Sequence, residues 1–368
     1  MEVYTSGLAG KLKSFLLFFV SILSLSFLTP DPVVSNSFEI PYLQKGLCYA
    51  TWDKDRFLSP YSDMSLKELA GTGADFVQII VTQYQENPDS TDIRRTEHTP
   101  SDKSLVHAIK KAQANGLKVM LKPHIDLINN SGNLYHRADI GFAREKDWRE
   151  WFDSYSKFIL HYARIAEATG VNIFCVGTEL SFTTQKNDLW EKKVIFPVRE
   201  IYKGKLIYAA NWDNYSMVEF WDELDYVGID AYFPLTAEPD PSVSELSRGW
   251  KRWQHELAGW QSYIGKPVIF TEIGYPSAAH AGYEPWKSGY TGNADPELQA
   301  RCYKAFFNTV WGSPWLKGVY WWKWDTSVYA GGKNNRQFTP QNKPAEKILK
   351  ENYRIPQRHR RFIIARDD

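Results

Sequence analysis

A chain of 368 residues, 43% hydrophobic and 24% charged, has the composition of a globular protein and the length of one large domain or two small ones, which excludes extended disorder. Its formal net charge of +1 supplies no global field toward nucleic acid or a membrane surface, so a neutral partner is expected. The 15 Trp and 21 Tyr suit stacking on sugar rings, although any single Trp can equally be a core residue.

At the start of the chain, Lys11 and Lys13 precede an apolar run over residues 15–28, the length of a signal-peptide core and short for a membrane span. Residues 1–37 therefore read as a signal peptide or an N-terminal anchor, with Val33, Ser35 and Ser37 as small residues near a cleavage point. Export follows, whether secreted, periplasmic or surface-anchored, with no other membrane contact. Beyond it, apolar strand-like runs alternate with amphipathic stretches. The strands are expected at residues 46–52, 75–81, 117–124, 171–178, 206–211, 226–232, 267–271 and 318–325. Most of these runs are apolar almost throughout, as parallel strands covered on both faces are.

Helix signals fall between them. Ser101 precedes Leu105, Ile109 and Ala112 at helical spacing, and Asn115-Gly116 offers a left-handed stop. A longer helix starts near Asp147, runs through Trp151, Tyr155, Phe158, Tyr162 and Ile165, and ends at Thr169-Gly170. Another starts at Asp295 and stops before Gly312-Ser313-Pro314. Eight strand–helix pairs imply an α/β fold, a single (β/α)8 TIM barrel over residues 38–355, followed by a basic tail at 356–368 that contains Arg358-His359-Arg360-Arg361. A doubly wound sheet would also alternate, but no GxGxxG or GxxxxGK follows the first strand. Cys48, Cys175 and Cys302 are three and far apart, which suits buried thiols better than a disulfide framework.

In such a barrel the active site lies at the carboxyl ends of the strands, so the polar residues that close each run are the candidates. They are Lys122, His124 and Asp126 after strand three, Glu179 after four, Asn211 after five, Asp230 and Tyr232 on six, Glu272 after seven, and Trp322 and Trp324 on eight. Glycosidic hydrolysis needs one carboxyl to protonate the leaving oxygen and a second to attack the anomeric carbon or activate water. Glu179 and Glu272 on opposite sides of one mouth meet that need, as acid/base and nucleophile of a retaining, double-displacement mechanism. The remaining polar residues are candidate sugar ligands. His124 could equally be a satisfied core histidine, and Asp126 and Asp230 could serve to orient Lys122 and loop backbone. Trp52, Trp212, Tyr215, Trp286 and Tyr290 are candidate rim aromatics.

The stretches Phe174-Cys175-Val176-Gly177-Thr178-Glu179-Leu180 and Phe270-Thr271-Glu272-Ile273-Gly274-Tyr275 resemble those of glycoside hydrolase family 113, in the clan that carries its acid/base on strand four and its nucleophile on strand seven. The resemblance implies a β-mannanase-like enzyme without a cofactor, Tyr232 donating to the nucleophile, and Trp322 or Trp324 flooring the subsite of the attacked sugar. Many clan members have Asn before the acid/base; here Thr178 stands there, which leaves the sugar open. A β-mannan or its oligosaccharide is the expected substrate, with xylan, glucan or galactan next. The chain is taken as a monomer by default. Two rivals stand beside this reading: a metal-dependent hydrolase, disfavoured because no His-x-His follows strand one, and a barrel that binds polysaccharide without cleaving it. The second has no use for two adjacent carboxylates.

Overall fold

A computed structural model of the chain describes residues 42–130, 132 and 134–355; the expected leader at 1–37 and the basic tail at 356–368 lie outside the described residues. Eight strands, β1 Gln44–Tyr49, β2 Phe76–Gln85, β3 Lys118–Leu127, β4 Ile173–Thr178, β5 Lys205–Asn211, β6 Tyr226–Asp230, β7 Val268–Ile273 and β8 Leu316–Trp324, close into a barrel in chain order. Every neighbouring pair is parallel, and β8 completes the ring against β1. This is the (β/α)8 barrel expected from the alternation.

Period-two alternation sorts the apolar side chains into two populations. Outward-facing residues such as Phe174, Val176 and Phe270 pack beneath the helices in one extended core. Inward-facing Phe76, Ile80, Met120, Ile173, Ile207, Ile269 and Tyr320 fill the lower barrel. The Tyr320 hydroxyl donates to Gln44 Oε1 at 2.7 Å, so the polar atom of this buried ring is satisfied.

The helices begin and end where local chemistry directs. Ser101 caps the helix Asp102–Ala114 by accepting from Ser104 N–H, Asp295 does the same for Pro296–Thr309 through Leu298 N–H, and Gly170 at φ 67° ends Glu145–Thr169 in the left-handed conformation. One expectation fails. Between β5 and β6 there is no α-helix, only the 3-10 turns Tyr215–Met217 and Phe220–Glu223. Buried Phe220 and Trp221 cover the barrel there instead. Cys48, Cys175 and Cys302 are buried free thiols. Among the described residues no helix is long and apolar enough to cross a membrane.

Candidate active site

Above the apolar plug, the same inward positions turn polar. On β3 the sequence Met120, Lys122, His124 climbs from plug to mouth, and on β6 Asp230 is followed by Tyr232. Two strands break the alternation to deliver a carboxylate. β7 shifts register between Phe270 and Ile273, so that Thr271 and Glu272 both meet groups inside the barrel. β4 shifts between Cys175 and Thr178. Gly177 sits in that irregularity with its missing side chain toward the helix layer, where a Cβ would lie 2.5 Å from Trp190 and 3.0 Å from the Tyr155 hydroxyl. Glu179 follows at φ 52°, a left-handed conformation that costs a non-glycine residue energy. Its N–H is held by the Ala209 carbonyl at 2.8 Å, and the next N–H, of Leu180, by the Tyr208 hydroxyl at 3.0 Å.

Glu272 is 5% exposed and each of its oxygens has one fixed donor: Lys122 Nζ reaches Oε1 at 2.6 Å and the Tyr232 hydroxyl reaches Oε2 at 2.7 Å. Lys122 also donates to both oxygens of Asp230, at 2.9 and 3.0 Å, and Asp230 Oδ1 accepts from Thr271 Oγ1 at 2.7 Å. Burial alone would pull the Lys122 ammonium down, but Asp230 and Glu272 outweigh it and hold lysine above its ordinary range.

Glu179 occupies a different environment. Burial raises its carboxyl above the ordinary value, the charge of Glu272 adds to that rise, and Arg137 opposes it. The Arg137 guanidinium ties the mouth together: Nη2 donates to Asp126 Oδ1 at 2.5 Å, and Nη1 lies 3.1 Å from His124 Nδ1 and 3.4 Å from Glu179 Oε2. Since arginine only donates, His124 Nδ1 must accept, which leaves the imidazole proton on Nε2. Burial, with Arg137 and Lys122 beside it, pushes His124 well below its ordinary value, so the ring is neutral. Its Nε2 has no hydrogen-bond partner among the described residues, lies 3.8 Å from Glu272 Oε1, and belongs to a ring parallel to Trp322 within 7°.

The strand-end candidates thus separate. His124, Glu179, Tyr232, Glu272 and Trp322 line one mouth, and Asn211 sits beside it with its amide on Ser181 Oγ at 3.3 Å. Lys122, expected as a sugar ligand, and Asp230, expected as a sugar ligand or as a partner that orients Lys122, are 0% exposed and lie beneath Glu272 with their polar atoms engaged, Asp230 on Lys122. Trp324 is 1% exposed and points outward, its indole N–H on Ser65 Oγ at 3.0 Å; strict alternation would keep it on the inward face with Tyr320 and Trp322, but the pairing of β8 with β1 shifts register between Trp321 and Trp324, which turns Trp324 into the helix layer. Asp126 holds Arg137 instead of standing free. Among the rim aromatics, Trp52 and Trp286 are exposed, while Tyr215 is buried with its hydroxyl on Glu256. Arg137 went unseen because it comes from the loop after β3, where no strand period marks it. Among the described residues no group of three His, Cys, Asp or Glu side chains could hold a metal ion.

The model of Glycoside Hydrolase Family 113 matches residues 49–343. The β-mannanase AaManA of that family from Alicyclobacillus acidocaldarius, solved in complex with ManMIm, superposes with a TM-score of 0.77 at 27% identity, covering 85% of this chain and 97% of its own. Another complex structure of a family 113 β-1,4-mannanase gives 0.78 at 27%, over 86% of this chain and 100% of its own. The endo-β-1,4-mannanase from Thermotoga petrophila, at 13% identity and a TM-score of 0.51 over 86% of this chain and 77% of its own, shares the fold alone. No curated protein matches. The chain belongs to glycoside hydrolase family 113 and is a glycoside hydrolase.

Proposed function

We propose that this family 113 hydrolase is an exported enzyme that cleaves β-1,4-mannan or its oligosaccharides with retention of configuration, Glu272 acting as nucleophile and Glu179 as acid and then base. The observation that carries the reading is the opposite treatment of two carboxyls in one mouth. Glu272 accepts from an ammonium and a phenol, one donor on each oxygen, while burial and the charge of Glu272 raise the Glu179 carboxyl above its ordinary value against the opposing Arg137.

In the first step a Glu272 oxygen bonds to the anomeric carbon as the glycosidic C–O bond breaks, and Glu179 gives its proton to the departing oxygen. The glycosyl ester removes Glu272's charge, so Glu179 loses one cause of its raised value and becomes a better base for the second step. It then takes a proton from water, whose oxygen attacks the anomeric carbon from the opposite face and releases Glu272. The neutral His124 directs Nε2–H toward the attacked sugar, and the Trp322 face offers a platform for its apolar side. The two family 113 mannanases support mannan as substrate. The leader-like run at residues 15–28 supports export.

Product release from β-mannan, glucomannan, xylan and β-glucan oligosaccharides, with proton NMR of the first anomer formed, tests the reading. Mannan cleavage giving the β-anomer, lost in Glu179→Gln and Glu272→Gln, is expected. Cleavage of another glycan alone overturns the substrate, an α-anomer overturns retention, and activity that survives both substitutions overturns the catalytic pair.

A further inference from the structure

Beneath the mouth lies a charge cluster closed off from solvent, and its stoichiometry is informative. Lysine has three N–H donors, and Lys122 has three contacts: two to Asp230 and one to Glu272. One ammonium is therefore shared between two carboxylates, all three groups being nearly or wholly removed from solvent. A lysine placed only to keep Glu272 ionised would need no second carboxylate, and burying one costs desolvation energy unless it has a use.

We infer that Lys122 and Asp230 are positioning residues that work as a matched pair, Lys122 favouring the ionised form of Glu272 and Asp230 holding that ammonium partnered when Glu272 becomes a neutral ester. The inference rests on Glu272 being the nucleophile. In the free enzyme the pair leaves Glu272 facing one half-neutralised cation, which keeps it ionised without binding it so tightly that its attack is blunted. Once the ester forms, Lys122 retains both contacts to Asp230, so the intermediate contains no unpaired buried ammonium, a situation that is strongly destabilising elsewhere. Asp230 is itself fixed by Thr271 Oγ1, the residue before the nucleophile, which ties the pair's position to the irregularity in β7 that delivers Glu272.

The titratable groups that face Glu272 are Lys122 and His124 from β3, Arg137 from the following loop, Glu179 from β4, Asp230 and Tyr232 from β6, and Cys48 from β1. Cys48 and Tyr232 are neutral, burial raising both, and His124 is neutral because burial lowers it. Burial and the charge of Glu272 raise Asp230 well above its ordinary value and Lys122 opposes them, so Lys122 and Asp230, joined by two hydrogen bonds, are a coupled pair lying beneath the nucleophile on the side away from solvent.

The test is the pH dependence of covalent labelling by the 2,4-dinitrophenyl 2-deoxy-2-fluoro-β-glycoside of the sugar the enzyme cleaves. The aryl oxide departs with its electron pair and needs no proton, so the rate reads Glu272's attack without Glu179. Labelling of the wild type on Glu272, located by peptide mass spectrometry, is expected to fall toward acid pH. Lys122→Met should move that midpoint up by about one pH unit or more, and Asp230→Asn should move it down while slowing the plateau roughly tenfold or more, because the ester then leaves Lys122 unpaired. The double variant, which removes one charge of each sign, should return the midpoint toward wild type and covers the case in which Lys122→Met does not fold. Midpoints that fail to move, or move in the same direction, overturn the inference. A label on a residue other than Glu272 would instead overturn the assignment of the nucleophile.

Discussion

The lower barrel and its mouth are built from the same inward positions of the same strands, yet they serve opposite ends. On β3, Met120 belongs to the apolar plug while Lys122 and His124, two and four residues on, belong to the charge cluster; on β7, Ile269 precedes Thr271 and Glu272 in the same way. The plug has no charged side chain and is held by dispersion and exclusion of water. The mouth holds Glu179 and Glu272 close to the same cations, a strained backbone at Glu179 and an unpartnered His124 Nε2. The difference teaches that depth along a strand, rather than alternation, decides whether an inward residue supports stability or chemistry.

Several substitutions would break or sharpen that contrast. Glu272→Gln has the largest expected effect, a fall in kcat of roughly 10⁴-fold or more, the scale on which one member of a catalytic unit matters. Its melting temperature should stay within a few degrees of wild type, since Asp230 still holds Lys122 through two contacts; calorimetry beside the activity assay checks both. Met120→Ala is the converse. The cavity in the plug should cost about 2–5 kcal/mol of stability by denaturant unfolding while kcat/KM changes only severalfold. A kcat/KM loss comparable to that of Glu272→Gln would show that plug and mouth are not separable.

A smaller effect is expected from Trp322→Ala, about tenfold or more in KM with stability little changed, whereas Trp324→Ala should destabilise by about 3–5 kcal/mol with KM unaltered. The smallest expected change is a displacement of pH dependence. Because Glu179 titrates above the ordinary carboxylate range, its protonated form persists there, and the rate should fall as pH rises through that raised value. Arg137 opposes the rise, so Arg137→Met should move the basic limb of kcat/KM upward by about one pH unit. A downward move would mean that Arg137 acts on Glu179 by something other than its charge.

Much of the barrel was legible because its signals are local. Apolar runs of strand length, Ser101 and Asp295 as caps and Gly170 as a stop each depend on a few neighbouring residues. The helix expected between β5 and β6 is replaced by two 3-10 turns whose Phe220 and Trp221 cover the barrel. Within the site, Glu179 and Glu272 could be picked out since each ends a run that the barrel carries to the same rim. Lys122 was read as a sugar ligand for the same reason, and Asp230 as either a sugar ligand or a partner that orients Lys122; the structure buries both and pairs them, because a strand-end position does not report depth. Their partners stand 108 and 150 residues from Lys122, a separation that sequence spacing does not encode. Arg137 lies in a loop, where neither period nor capping marks a functional side chain.

The sequence by itself determined the class of fold, the eight strands in their order and the two glutamates carried to one rim, because these follow from periodicity and from the geometry that eight parallel strands must adopt on closing. Tertiary structure alone decided which polar residues reach the mouth, which tryptophan of β8 faces inward, and that one buried lysine is shared by two carboxylates. Those outcomes depend on depth in the barrel and on register shifts in β4, β7 and β8, which arise only when distant strands are brought side by side.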